Sequence, residues 1–231
     1  MEERNERGNG VPGMLMLLAI LAAGAVAGAL AGGNGWWLHW VCKPAATLWL
    51  IGWLWRQGHV NGVSGYWPWV LAGLWLSLLG DVLLMLPLGL FVPGLVAFAL
   101  AHLAYARGFA HGLRPASLRL PLLLVLLAGG GNLVGLWPHL PADMRVPVAV
   151  YVLLIGLMAS LALARWRQQL PGGRLAAIGA LLFMASDSLL AWDRFAGPLP
   201  AAIAGVLLSY WAAQALIAIS SLAAGRPAAR Q

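Results

Sequence analysis

Charge, and acid in particular, is scarce in this sequence, and so is cysteine. Across 231 residues only 9% are charged, Asp and Glu together number seven, and Cys42 is the single cysteine. A soluble domain is about 25% charged and about 45–50% apolar, whereas 61% of this chain is hydrophobic, with a mean hydropathy of +0.82. That balance excludes a water-soluble globular protein. One cysteine excludes an internal disulfide, and no CxxC or Cys/His cluster at zinc-ligand spacing points to redox chemistry or a structural metal. A Gly-rich phosphate loop, a haem ligand set and a flavin fingerprint are all missing, so no cofactor is expected. No Gly-x-Ser-x-Gly elbow is present to activate a serine nucleophile. Nothing repeats at a fixed period, and no matched pair of broken helices suggests a carrier built on inverted repeats.

The chain does hold long apolar runs. Windows of about 20 residues, the length that crosses a bilayer, predict helices near 11–31, 36–56, 66–87, 89–110, 118–137, 146–164, 174–194 and 198–222. Gly and Pro punctuate the breaks between them. The expected fold is an all-α polytopic transmembrane helix bundle of eight spans. A polar N-terminal tail covers residues 1–10, the transmembrane domain 11–222 and a C-terminal tail 223–231, which leaves no room for a separate soluble domain. The first run is too long for a signal-peptide core, acids accompany Arg4 and Arg7 before it, and a second span follows at once; it reads as a retained helix.

The net charge of +7 would suggest nucleic acid in a soluble chain. Here it has a topological origin. Of the 14 Lys and Arg, Lys43 lies inside a span, and with eight crossings only Arg145 and Arg194 fall on the side opposite the termini. Basic residues collect on the cytoplasmic side, so both termini are expected in the cytoplasm and no nucleic-acid partner is implied. An integral multi-pass protein of a bacterial inner membrane is the expected setting. Trp36, Trp37, Trp40, Trp67, Trp69 and Trp137 lie near span ends and suit the headgroup layer as anchors.

Three of the seven acids, Glu2, Glu3 and Glu6, sit in the N-terminal tail. Of the remaining four, Asp81 and Asp187 fall within apolar spans, as do Lys43 and His102. Each ionisable group in a span costs about 2.5–3.5 kcal/mol on insertion scales, so each needs a reason. Counted from the span ends at 1.5 Å per residue, Lys43, Asp81 and Asp187 share a level roughly 9–12 Å in. Tyr210, Gln214 and His102 lie somewhat deeper. Lys43 and one Asp could form a buried ion pair that fixes helix register, which leaves the second carboxylate unexplained. One cation with two carboxylates can instead keep one Asp ionised while the other, desolvated, holds its proton. That is a general acid and a general base.

Several neighbours admit structural readings. His102, one turn from Tyr105, could bond a neighbouring helix as readily as serve catalysis. Histidines 39, 59, 111 and 139 lie at loops or span ends, and no His/Asp spacing builds a closed metal ligand set. Ser77, Ser186 and Ser188 flank the aspartates and are expected to bond across helices or to orient the carboxylates. Asp193 and Arg194 form an expected interfacial pair.

SLLGDVLLMLP over 77–87, followed by Phe91, Gly94, Phe98, His102 and the run from Tyr105 to Phe109, resembles the lysoplasmalogenase (YhhN-like) family of integral membrane proteins. GALLFMASDSLLAWDRF over 179–195, SYWAAQALI over 209–217 and the Lys43-Pro44 element in CKPAATLWL are similar to the same family. The resemblance spans about residues 38–222. It implies a hydrolase that cleaves the vinyl-ether bond of lysoplasmalogens to a fatty aldehyde and a glycerophospho-base. A protonated and an ionised carboxylate suit that reaction, much as in glycoside hydrolysis. On this reading Asp81 and Asp187 are catalytic, Lys43 sets which of them is charged, and His102, Tyr210 and Gln214 orient water and the ether oxygen, supported by Tyr105 and Ser186. The expected partners are a lysophospholipid substrate and the bilayer; the oligomeric state is left open. The competing reading is a proton-coupled small-molecule or lipid transporter in which the two aspartates titrate.

Overall fold

A computed structural model describes residues 10–60 and 65–224. Most of them lie in eight α-helices: α1 (Gly10–Ala31), α2 (Trp36–Val60), α3 (Trp67–Met85), α4 (Phe91–Phe109), α5 (Arg119–Leu136), α6 (Arg145–Arg167), α7 (Gly173–Phe195) and α8 (Ala202–Ala224). Among the described residues there is no strand. The ends fall within about four residues of those expected from hydropathy, and the stops have local causes. Pro68 and Pro121 occupy first turns, where a missing backbone N–H is harmless. Gly172 takes φ 73° immediately before α7, a conformation that favours glycine. Of the two predicted tails, only Gly10, Ala223 and Ala224 are described, and these belong to α1 and α8; residues 1–9 and 225–231 lie outside the described residues.

Seven of the eight helices are long and apolar enough to cross a membrane. The remaining one is α2, whose 25 residues include His39, Lys43, Pro44, Arg56, Gln57 and His59. It packs against α1, α3 and α8. In its first half the polar groups turn inward: His39 is buried with Nδ1 2.9 Å from the Ala25 carbonyl of α1, and Thr47 is fully enclosed. Composition sets α2 apart because it carries one side of the polar interior.

Consecutive helices pack as neighbours except α4 and α5; α4 packs instead against α6, and α8 touches α1, α2 and α3. Lipid gives little hydrophobic drive for helices to associate, so close packing of small residues has to supply it. The α3–α4 contact shows how. A Cβ placed on Gly73 would lie 2.1 Å from Tyr105, and one on Gly80 would lie 2.6 Å from the Phe98 ring. The two glycines, seven residues apart on one face of α3, admit the two rings that carry α4 into the interior. The outside stays apolar, with Met16, Leu127 and Val134 exposed, as a lipid-facing surface requires. Trp36, Trp37, Trp40, Trp69 and Trp137 are exposed near helix ends, while Trp67 is half-buried against the His59 ring.

At the end of the bundle nearest the termini, Arg165 departs from its expected place among loop charges. It is buried in the last turn of α6. Nη1 donates to the carbonyls of Phe109 and His111, Nη2 to that of Pro171, and the guanidinium lies 4.6 Å from the Tyr66 ring centre. Tyr66 in turn shares a 2.8 Å hydrogen bond with Ser220 of α8. The planar fork of donors suits a ring of carbonyls left free where α4 and α6 end, so this arginine clamps helices together.

Candidate active site

Asp81 sits on α3 and is almost completely enclosed. Lys43 Nζ lies 3.4 Å from Oδ1, while the Thr47 and Tyr210 hydroxyls donate to Oδ2 at 3.2 and 2.8 Å. Lys43 and Thr47 are one turn apart on the same face of α2. The carboxylate thus has a counter-ion and two hydroxyl donors from α2 and α8. A buried charge requires that degree of compensation.

Asp187 on α7 has different partners. The Tyr151 hydroxyl of α6 donates to its Oδ2 at 2.5 Å, and His102 Nε2 of α4 lies 3.3 Å from that same oxygen and 2.9 Å from the Tyr151 hydroxyl. The Asp187 side chain retains 16% exposure against 4% for Asp81. Where the sequence suggested one site with a cation between two carboxylates, the helices form two clusters. Lys43 reaches Asp81 from α2, whereas Asp187 faces α4 and α6. An aromatic partition lies where the clusters meet. The Phe183 ring is 4.8 Å from the His102 ring and 5.4 Å from that of Tyr210, and Phe98 stands 6.0 Å from Tyr210.

The other expected site residues divide accordingly. Tyr210 belongs to the Asp81 cluster and His102 to the Asp187 cluster. Tyr105 donates to Gln214 Oε1 at 2.7 Å and lies 3.4 Å from the Ser77 hydroxyl, which makes a third buried group. Ser186 meets neither carboxylate; it donates to the Val206 carbonyl of α8 at 2.9 Å. Ser188 bonds Met184 on its own helix and accepts from Asn132 of α5. Asp193 and Arg194 do not pair: Asp193 accepts from the Leu199 amide at 2.8 Å, and Arg194 lies over the Phe91 ring at 5.2 Å. Two carboxylate partners escaped the sequence reading, Thr47 and Tyr151. The signal for Thr47 was its place one turn beyond Lys43. For Tyr151 it was the scarcity of tyrosine, since all four tyrosines are buried and all four hydroxyls are hydrogen-bonded.

An apolar cavity opens beside Asp187, at the end of the bundle away from the chain termini. Its walls are apolar, from Leu84 of α3, Leu95 and Phe98 of α4, Leu133 of α5, Val152 and Ile155 of α6 and Met184 of α7. The polar groups facing it are Asn132, Tyr151, Asp187 and Ser188. Asp81 and Lys43 are not among the lining residues. Mostly apolar walls with a few convergent polar groups are the usual form of a small-molecule site, and these walls suit a hydrocarbon chain. Among the described residues no three His, Cys, Asp or Glu side chains gather into a metal ligand set.

The YhhN family matches residues 38–221, which include every residue of both clusters. The chain is 44% identical over 187 residues to the human lysoplasmalogenase TMEM86B, covering 80% of this chain and 76% of that one. It is 38% identical over 202 residues to the bovine lysoplasmalogenase TMEM86A, covering 80% and 78%. With a lysoplasmalogenase of Mycobacterium tuberculosis it shares 36% identity over 156 residues, or 64% and 58% of the two chains. No solved structure matches the chain. On the extent of the family match and of these alignments, the chain belongs to the YhhN family.

Proposed function

We propose that this protein is a membrane-embedded lysoplasmalogenase, which hydrolyses the vinyl-ether bond of a lysoplasmalogen. The observation that carries the reading is a carboxyl group, Asp187, backed by a tyrosine and a histidine and facing an apolar cavity in a member of a family whose curated relatives bear that name.

The two clusters have different tasks in this proposal. Asp81, beside Lys43 and two hydroxyl donors, stays ionised and contributes negative potential from behind the Phe98–Phe183 partition. Asp187 is the acid that touches substrate. Its proton passes to the enol-ether carbon remote from oxygen, and the C=C electron pair forms the new C–H bond, leaving an oxocarbenium ion. The Tyr151 hydroxyl and His102 then stabilise the Asp187 carboxylate by donating to Oδ2. That carboxylate takes a proton from water as the water adds to the oxocarbenium carbon. The hemiacetal so formed loses its O–H proton, the C–O bond to glycerol breaks, and the glycerol oxygen is protonated. Aldehyde and glycerophospho-base leave, one water having been consumed. A positioned acid–base group of this kind supplies about 10²–10⁴-fold. Gln214 and Tyr105 keep α4 and α8 in register behind the partition.

In the membrane we propose eight crossings, α2 included, with both termini in the cytoplasm. The site then lies toward the opposite leaflet. The test is aldehyde release by the purified protein from a vinyl-ether lysolipid, an ester lysolipid and a saturated alkyl-ether lysolipid, run in D2O. Only the first should react, with one deuterium on the carbon next to the aldehyde. Release of fatty acid from the ester, or an aldehyde without deuterium, would overturn the scheme.

A further inference from the structure

The geometry points to a phosphate anchor at the mouth of the cavity, formed by Arg145 and Arg194, which holds the phosphodiester of a lysophospholipid while its chain lies between the apolar walls. This deepens the lysoplasmalogenase reading and rests on it for the identity of the lipid.

Arg145 and Arg194 are the two arginines the sequence assigns to the side opposite the termini; neither lines the cavity itself, but each lies on a helix whose adjoining turns do. Arg194 follows Asp187 by seven residues, about two turns along the same face of α7, or roughly 10 Å at 1.5 Å per residue. Between them on that face, Leu190 and Ala191 line the cavity, and the Arg194 guanidinium lies 5.2 Å from the centre of the cavity-lining Phe91 ring. Arg145 opens α6. Val148 and Val152, three and seven residues later, line the cavity, and the Arg145 guanidinium lies 5.4 Å from the Trp137 ring beside the lining residue Leu136.

Among the described residues no carboxylate is ion-paired with either arginine: the ion pairs are Lys43–Asp81 and His102–Asp187, and Asp193, adjacent to Arg194, is directed to the Leu199 amide. Arg145 Nε is buried and has no hydrogen-bond partner. An enclosed donor of that kind is costly unless something accepts from it. Phosphate oxygens accept from guanidinium in paired, charge-assisted bonds. Glycerol and its ester oxygen separate vinyl ether from phosphorus by less than the rise from Asp187 to Arg194, and the long arginine side chain, leaning toward the helix N-terminus as helical side chains do, makes up the difference. A substrate anchored in this way places its enol-ether carbon at Asp187, which is the positional advantage an active site needs.

The test measures binding, so it is independent of turnover. The purified full-length protein in detergent is titrated with a saturated 1-O-alkyl lysophospholipid, with the 1-O-alkylglycerol of equal chain length, and with glycerophosphate. Wild type should bind the phospholipid about tenfold or more tighter than the alkylglycerol, in keeping with charge-assisted bonding, and bind glycerophosphate only weakly. Arg145→Gln and Arg194→Gln should each shrink that ratio. The double variant should bring it near one, with alkylglycerol binding unchanged. Arg174→Gln, exposed at the opposite end, should leave the ratio intact. A wild-type ratio near one, or a ratio that survives the double variant, overturns the anchor. If the double variant does not fold, the exposed Arg194→Gln decides alone, and Arg194→Lys should restore part of the ratio. Failure of aldehyde release in the same preparation would count against the hydrolase reading, whatever the binding ratio.

Discussion

The two aspartates illustrate how similar residues in similar segments acquire different roles from their neighbours. Asp81 is paired and enclosed; Asp187 is hydrogen-bonded on one side and open to a cavity on the other. Removing the carboxylate in Asp187→Asn keeps the shape but eliminates the proton donor, so turnover should fall by about 10²-fold or more while the protein extracts and melts like wild type. Tyr151→Phe should show a smaller loss of kcat with little change in KM, because it removes only one donor to the carboxylate. Asp81→Asn should behave differently. It strands Lys43 in the interior, and breaking a buried pair costs about 3–5 kcal/mol, so thermal stability should fall first. The double variant Lys43→Met with Asp81→Leu, which removes both charges, should recover most of that stability; full activity in the double variant would show that Asp81 has no part in catalysis. At this scale the sequence was informative about which residues mattered and less so about their grouping. Scarcity marked Lys43, Asp81, His102 and Asp187, since each is costly in a span. Their partition into two clusters depends on which faces of α2, α4 and α6 meet, and a count of depth along each helix contains no rotation about the axis.

At the scale of elements, hydropathy located all eight helices because a crossing helix must satisfy every backbone group internally, which leaves a long apolar run in the chain. The exception in composition is α2, where tryptophan and the inward-facing polar residues dilute the apolar signal. What the sequence did not reveal was the function of its glycines. Gly73 and Gly80 read as ordinary small residues in an apolar span, yet they allow Tyr105 and Phe98 to reach the interior. Gly73→Val should therefore force the Tyr105 ring aside and, as overpacking does, cost about 1–3 kcal/mol. The check is a lowered melting temperature together with reduced activity. An equally large residue at Gly131, which faces open space on α5, should be tolerated.

For the molecule as a whole, the proposed orientation follows from the basic bias that separates Arg145 and Arg194 from the other arginines, and it would turn the cavity toward the non-cytoplasmic leaflet. A reporter fused after Gln231 should be active only if it functions in the cytoplasm, and a reporter placed in the loop near Pro141 should be active only outside it; the reverse pattern would invert the proposed orientation. Arg165 is a reminder that such a bias counts charges without showing where they point, since this one is a buried clamp. It does not alter the sign of the bias. Helices α3 to α7 converge on a cavity with apolar walls onto which, among the described residues, one part-buried carboxyl group faces, that of Asp187. The most direct measurement is aldehyde release from a vinyl-ether lysolipid by purified wild-type protein and by the folded Asp187→Asn variant, side by side. Steady release by the first and none above background by the second is the expected result. Equal release by both would remove Asp187 from the chemistry, and with it the role assigned here to the cavity.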